Sequence, residues 1–506
     1  MNTLNRAALA SGAVVAPHAP LAARPVEILQ IGEGVFMRGF VDWMVDVANE
    51  KGVYRGGVAV AAPRRHAEPP PLAAQDGLYT VLLRGREGGA EVSERRIVSA
   101  IQTVLDPYAQ WPETIALAAS PALKFLVSNT TEAGVVDIPE PYDPAVCPES
   151  FPAKVAALLK ARYDALGGPE APPLIVLPCE LIEANGATLR RIVLEHARRW
   201  DFSEAALCWI GESCRFFDTL VDRIVPGFPT DEAERLFAEW GYRDPLAIVA
   251  EPFHLWVIEA PPDVAAALPL AAAGANVVWT DDVRPYRERK LRLLNGTHTA
   301  TALAAFLAGL DTVFEMVEDP LFARAVERVA FEELAPSVPL PEAERLSYAR
   351  SVIERFGNPF LRHELTSIAF NSVSKWRVRL LPPVRQAVAA GRSAPGLVAF
   401  SLAALLWFYR CEREQGGFVG RRAKGAYPIR DEPENLTIMA EAWALEPAVG
   451  AAAVAARLLA DRRLWGEDLT KVGNLAALAL AAFEAIERRG VRGALEASLA
   501  SGAGLA

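Results

Sequence analysis

Cysteine is scarce in this chain. Cys147, Cys179, Cys208, Cys214 and Cys411 are scattered over 506 residues with no C-x-x-C pair. An odd, dispersed set excludes a disulfide framework and a cysteine-based zinc site, and it points to a reducing, cytoplasmic setting. Excess positive charge is also missing. The formal net charge of −10 is the wrong sign for displacing counterions from nucleic acid or for attraction to anionic lipid. No uninterrupted apolar stretch of about 18 residues occurs outside charge-flanked, helix-patterned regions, so no membrane span is expected. The opening "MNTLNRAALASGAVVAPHAPLAARP" carries an Ala-rich run broken by Ser, Gly, Pro and His, and does not read as a secretory signal. Internal repeats and long low-complexity tracts are absent too.

What is present is apolar mass: 52% of the residues are hydrophobic, enough for sizeable cores. At about three times the usual single-domain length, the chain should hold two large domains. "VEILQIG" (26–32) and "GGVAVAAP" (56–63) read as buried strands. "YTVLLRG" (79–85), "LKFLVSNT" (123–130), "PLIVLPCE" (173–180) and "ANVVWTDD" (275–282) read the same way. Helical patterns between them imply an α/β fold with a mostly parallel sheet covered on both faces. In "GVFMRGFVDWMVDVANEKG" one helical face takes Phe36, Phe40, Trp43 and Val47, and another takes Arg38, Asp42, Asp46 and Glu50. From about residue 284 Ala/Leu/Glu/Arg-rich helical periods take over and no strand is expected. The expected division is therefore 1–283 and 284–506.

The turn "QIGEGVFMRGF" follows a strand and precedes a helix, the context of a dinucleotide fingerprint. Gly32 suits a tight turn, and Gly34 lets backbone approach a pyrophosphate. Met37 stands where the fingerprint has its third glycine. An acidic residue for the ribose is also wanting. "APRRH" fills its place, and Arg64 and Arg65 suit either a 2′-phosphate or a solvated loop, which leaves NAD and NADP open.

"KLRLLNGTH" (290–298) sets an amine, an amide and an imidazole close together. Hydride transfer to a carbonyl carbon needs a proton donor. The chain lacks a Cys/His metal cluster, and the Tyr286-x-x-x-Lys290 pair lies beyond the strand-rich region. A lone lysine remains, and burial with Arg287, Arg289 and Arg292 nearby disfavours its ammonium form. On an α-helix Asn295 falls about 140° and His298 about 80° from Lys290, all in one arc. A basic, solvated helix start would carry the same letters.

Lys290-x4-Asn295-x2-His298 and the G-x-G-x-F-x-R pattern of Gly32, Gly34, Phe36 and Arg38 resemble the signature of the polyol-specific long-chain dehydrogenase/reductase family, the mannitol dehydrogenase family. "SNTTEAG" (128–134), "TLVDRIVPG" (219–227) and "NPFLRHELTSIAFNSVSKWRVRLLP" (358–382) fall where that family has its other marked segments. The resemblance runs from about residue 25 to the last helices. It implies a Rossmann-type domain followed by a mainly α-helical domain. The activity implied is a metal-independent, NAD(H)-dependent interconversion of a keto-sugar acid and its polyol acid, with NADP(H) not excluded. Neutral-polyol chemistry is the sibling alternative. Lys290 becomes the general acid/base, assisted by Asn295 and His298. Ile31, Gly32, Gly34, Phe36 and Arg38 become cofactor residues, with Thr131 and Glu132 near the nicotinamide. Lys375 matches a substrate-binding lysine. Arg379 is added for the sugar-acid carboxylate, because an arginine fork suits a planar anion. Asp222 either lines the site or pairs internally with Arg223. The expected partner is a small sugar acid, with no nucleic acid or membrane, and the expected assembly is a monomer or homodimer. Two departures stand out: Leu181 takes the place of an oxyanion asparagine, with Asn185 the nearest amide, and Arg287 replaces an acidic residue.

Overall fold

Short apolar runs ending in turns become the strands of one parallel sheet in the computed structural model, which describes residues 1–12, 14, 18–19, 21–65, 68–414 and 417–501. Its strands are β1 (Val26–Ile31), β2 (Gly57–Ala61), β3 (Ile101–Leu105), β4 (Phe125–Ser128), β5 (Ile175–Pro178) and β6 (Arg215–Phe216). They lie in the order β3-β2-β1-β4-β5-β6, every neighbour parallel. This is the doubly wound dinucleotide-fold order, which reverses direction between β1 and β4. Side chains alternate along β1 as strand geometry requires. Ile28 joins Val58, Val60 and Met44 on one face, while Leu29 and Ile31 join Leu126, Val155 and Ile192 on the other.

Two strand-like runs leave this sheet. Tyr79–Glu87 pairs with Ile248–Ala250 and Ala90–Val98, and Val277–Thr280 joins Leu255–Glu259 and Thr219–Asp222. The first is a hairpin strand: Gly88 and Gly89 take φ of 59° and 80°, the mirror-turn geometry that glycine permits. β3 and β6 were not apparent in the sequence.

The expected helix after Gly34 is interrupted, giving Val35–Arg38 and Val41–Glu50. Three residues of its charged stripe are buried, Arg38 at 8% exposed and Asp42 and Asp46 at 0%, while Glu50 at its end is exposed. Asp46 accepts from the Ser99 amide at 2.8 Å and from Arg96 at 2.9 Å, so the stripe faces a polar inner seam.

By its internal packing the chain forms two units, Met1–Arg84 with Glu91–Val283, and Gly85–Ala90 with Arg284–Ala506. The second is mainly helical around the buried helix Gly396–Phe408, which packs on Thr297–Leu307 and Leu475–Ser501. The expectation of no strand there is corrected. Cys411–Glu414, Gly417–Arg422 and Gly425–Ile429 form an antiparallel sheet, hidden in sequence by its charge and glycine. Among the described residues no helix is long and apolar enough to cross a membrane.

Candidate active site

In the first unit the strand order reverses between β1 and β4, and the segments that follow these two strands meet there. Gly32, directly after the buried Ile31, has φ +124°, and a Cβ there would stand 2.8 Å from the Asn129 carbonyl oxygen. The turn after β1 thus presses on the segment after β4, and only glycine tolerates both demands. Gly34 is exposed, and a Cβ on it would meet nothing within 4 Å. Bare, open backbone at a strand-to-helix turn is what a dinucleotide pyrophosphate requires, so the residues present fit that group.

The second wall is the 128–134 segment. Thr131 is exposed with φ +71°, a strained conformation for a residue with a Cβ and one that gathers at functional sites. Glu132, also exposed, opens the short turn Glu132–Gly134. Buried Glu180 fastens this wall, accepting from Ser128 Oγ (3.0 Å), the Thr130 amide (2.9 Å) and Thr130 Oγ1 (3.1 Å). Burial pushes its carboxyl above the usual range despite these bonds.

Other expected residues serve the frame. Phe36 stacks on Phe40 at 4.9 Å. Arg38 donates to the Leu246 carbonyl at 2.6 Å and lies over Tyr79, while burial holds its pKa down. Asn185 spends its amide on the carbonyls of Pro178, Glu180 and Thr219 and accepts from the Gly186 and Thr219 amides. It is a fastener, and Leu181 is 61% exposed. Asp222 is buried at the end of its strand. Arg223 donates to the carbonyls of Glu251 and Gly39 over the Trp43 ring, and burial brings it down to about 9. Arg65 pairs with Glu149 at 3.0 Å on the exposed surface.

In the second unit, Lys290 and Asn295 lie on a π-helical segment, Lys290–Gly296, that runs into the helix Thr297–Leu307. The α-helical angles are corrected accordingly. A π-turn closes on residue i+5, so Asn295 comes closer to the face of Lys290 than α-helical spacing would bring it. Both side chains are half-buried. Arg289 lies over Tyr348 at 4.4 Å, and Arg292 pairs with Glu288 at 2.9 Å, so these arginines have partners of their own. The Asn295 carbonyl accepts from Thr299 Oγ1 at 2.9 Å, and Arg379 donates to that hydroxyl at 3.1 Å.

His298 is 8% exposed, stacked on Phe356 at 4.0 Å and edge-on to His363 at 5.2 Å. Its Nε2 is buried without a hydrogen-bond partner among the described residues. Burial first, then His363, Arg355, Arg379 and Lys375, hold its pKa well below the usual imidazole range, so the ring is neutral at pH 7. Lys375 and Arg379 stand one turn apart on the helix Ser372–Arg379. Lys375 donates to the Ile368 carbonyl at 3.0 Å, and burial, then Arg379, lowers its pKa.

The structure therefore gathers Asn295, His298, Lys375 and Arg379 and adds Thr299, Arg355, Phe356 and His363, which sequence reasoning passed over. A lone histidine in a polar loop gives no signal of its own. Gln30 and Glu180 did leave one, as polar residues inside or beside buried strands.

Two family models together span most of the chain. The mannitol dehydrogenase Rossmann domain matches residues 26–272 and the mannitol dehydrogenase C-terminal domain matches residues 282–487. The chain belongs to the mannitol dehydrogenase family. Within it, the altronate oxidoreductase of Halalkalibacterium halodurans is 40% identical over 94% of this chain and 93% of its own. That of Shigella flexneri is 39% identical over 94% and 97%. The mannitol 2-dehydrogenase of Pseudomonas fluorescens, solved as a ternary complex with NAD and D-mannitol, superposes with a TM-score of 0.68 at 25% identity, covering 98% of this chain and 99% of that one. A substrate-free D-sorbitol dehydrogenase shares the fold, with a TM-score of 0.79 at 24% identity over 97% and 100%. As a mannitol dehydrogenase family member, the protein is a dehydrogenase of the polyol and sugar-acid class with a dinucleotide-binding Rossmann domain.

Proposed function

We propose that this dehydrogenase interconverts D-tagaturonate and D-altronate with NAD(H), as an altronate oxidoreductase, in galacturonate breakdown. The observation that carries this reading is the positive charge around neutral His298. Lys375 and Arg379 bond to neutral oxygens. Asp431, the carboxylate that Lys375 feels, is committed to Tyr409, the Glu432 amide and Asn435. Such a cluster suits a substrate carboxylate and is superfluous for a neutral polyol. The altronate oxidoreductase relatives at 39–40% identity support the same choice.

Gly32, Gly34 and the Thr131–Glu132 wall would hold the dinucleotide, which would supply or take up the hydride. In the reducing direction Lys290 gives a proton from Nζ to the former ketone oxygen, and in the oxidising direction it removes one from the hydroxyl. The Asn295 amide donates to that oxygen as negative charge develops. His298 Nε2, neutral and unpartnered, orients a neighbouring hydroxyl. Lys375 and Arg379 hold the carboxylate. NAD is favoured over NADP because the similar mannitol 2-dehydrogenase of Pseudomonas fluorescens was solved with NAD.

The test measures oxidation of NADH and of NADPH with tagaturonate, fructuronate and fructose side by side. The expected result is fastest turnover with NADH and tagaturonate. Preference for fructuronate or fructose would replace this reading by fructuronate reductase or mannitol 2-dehydrogenase, and no turnover with any of them would end it.

A further inference from the structure

A polar side chain inside an apolar strand must be bonded to something. Gln30, 0% exposed in β1, donates from Nε2 to the Gly32 carbonyl at 3.0 Å and to Asp42 Oδ2 at 3.2 Å. Asp42 is itself 0% exposed. Because both acceptors face the nitrogen, the amide has one workable orientation. A flip would set Oε1 against two oxygens. Among the described residues there is no cis peptide, and in a trans peptide the C=O and the following N–H point opposite ways. Holding the Gly32 carbonyl toward Gln30 therefore turns the Glu33 N–H away from it, to the far side of the turn. The arrangement leaves Gln30 Oε1 and Asp42 Oδ1 buried with no hydrogen-bond partner among the described residues, a cost that apolar residues of similar shape would avoid.

We propose that Gln30 and Asp42 are positioning residues for cofactor binding: Asp42 fixes the Gln30 amide, which fixes the Gly32–Glu33 peptide so that its N–H serves the dinucleotide pyrophosphate. This rests on the reading that the glycine turn holds the cofactor. Asp42 is faced by Arg38 and Asp46 from its own helical run, Tyr79 from the strand Tyr79–Glu87, and Gln30 from β1. Burial pushes its carboxyl up to about 7. An ionised acceptor bonds more strongly than a protonated one, so the turn is held more firmly as pH rises through that value.

The experiment titrates NADH by fluorescence into the full chain and into Gln30→Met, Asp42→Asn and Gly34→Val, at pH 6 and pH 8, with steady-state kinetics alongside. Gln30→Met is expected to raise the NADH dissociation constant ~10-fold, while kcat at saturating NADH stays within about twofold. Wild type should bind about threefold more tightly at pH 8 than at pH 6, and Asp42→Asn should bind equally at both. Unchanged binding in Gln30→Met, or a wild-type pH dependence in Asp42→Asn, overturns the inference. Loss of binding in Gly34→Val alone would leave the turn as the cofactor site and refute only the Gln30–Asp42 role. No change in any variant would refute both. If Gln30→Met fails to fold, the pH comparison with Asp42→Asn decides.

Discussion

Replacing Arg379 with methionine keeps the apolar stem of the side chain and removes its charged fork, which makes it the sharpest test of substrate class. Arg379 is half-buried and donates to Thr299 Oγ1 at 3.1 Å, leaving the rest of its fork for a ligand. A charge-assisted bond to a carboxylate contributes about 1.5–3 kcal/mol, which is ~10- to 150-fold in kcat/KM for tagaturonate. The substitution also loosens the Asn295–Thr299 contact, which affects every substrate alike. The informative quantity is therefore the ratio of kcat/KM for tagaturonate to that for fructose, measured by NADH absorbance in wild type and variant. That ratio should fall by about the same 10- to 150-fold, with kcat for fructose much less affected. A proportional fall for both substrates would show that Arg379 only scaffolds the π-turn, and the carboxylate assignment would be wrong.

Lys290→Ala should lower kcat at least ~100-fold while NADH still binds in a fluorescence titration; full turnover would remove the lysine from the chemistry. Gly32→Ala forces a Cβ to 2.8 Å from the Asn129 oxygen at φ +124°, so a loss of about 3 kcal/mol and of NADH binding is expected by denaturant melts and titration. Glu180→Gln keeps the shape but weakens the bonds to Ser128 and Thr130. It should raise KM for NADH about 3- to 10-fold with an unchanged KM for the sugar acid. His254 donates from Nδ1 to the Pro252 carbonyl and accepts the Asn276 amide on Nε2. Burial, then Arg223, brings it down to about 4 from 6.5. The unfolded chain protonates first, so stability is full above pH 6.5 and is lost as pH falls toward 4, by about 3 kcal/mol. His254→Gln should flatten that part of the pH–stability curve, and an unchanged slope would assign it to other groups.

The turn after β1 was legible because glycine, strand and helix each carry their own local signal, whereas Lys290, Asn295 and His298 stood out only because their types suit acid–base chemistry. What escaped depends on contacts distant in sequence. The Arg38/Asp42/Asp46 stripe has the spacing of a solvated helix face, yet Gln30, Arg96 and Ser99, from other strands, bury it. Asn185 looked like a candidate oxyanion donor, but its five bonds to backbone come from segments up to 34 residues away. The strands Cys411–Glu414, Gly417–Arg422 and Gly425–Ile429 lack apolar alternation because they are short and mostly exposed. Gln30 could have been singled out from sequence alone, since an amide in the middle of "VEILQIG" needs a partner wherever the strand is buried.

The π-turn explains why the Lys290, Asn295 and His298 spacing can work at all. On a regular α-helix Asn295 would lie about 140° around from Lys290, too far for an amine and an amide to converge on one oxygen. Closing the turn on i+5 brings them nearer to one face. The Asn295 carbonyl accepts from Thr299 Oγ1 at 2.9 Å and from Arg379 at 3.5 Å. On the function proposed above, the arginine assigned to the substrate carboxylate also bonds to the π-helical segment that carries Lys290, so a sugar acid drawing on Arg379 would act on that segment as well.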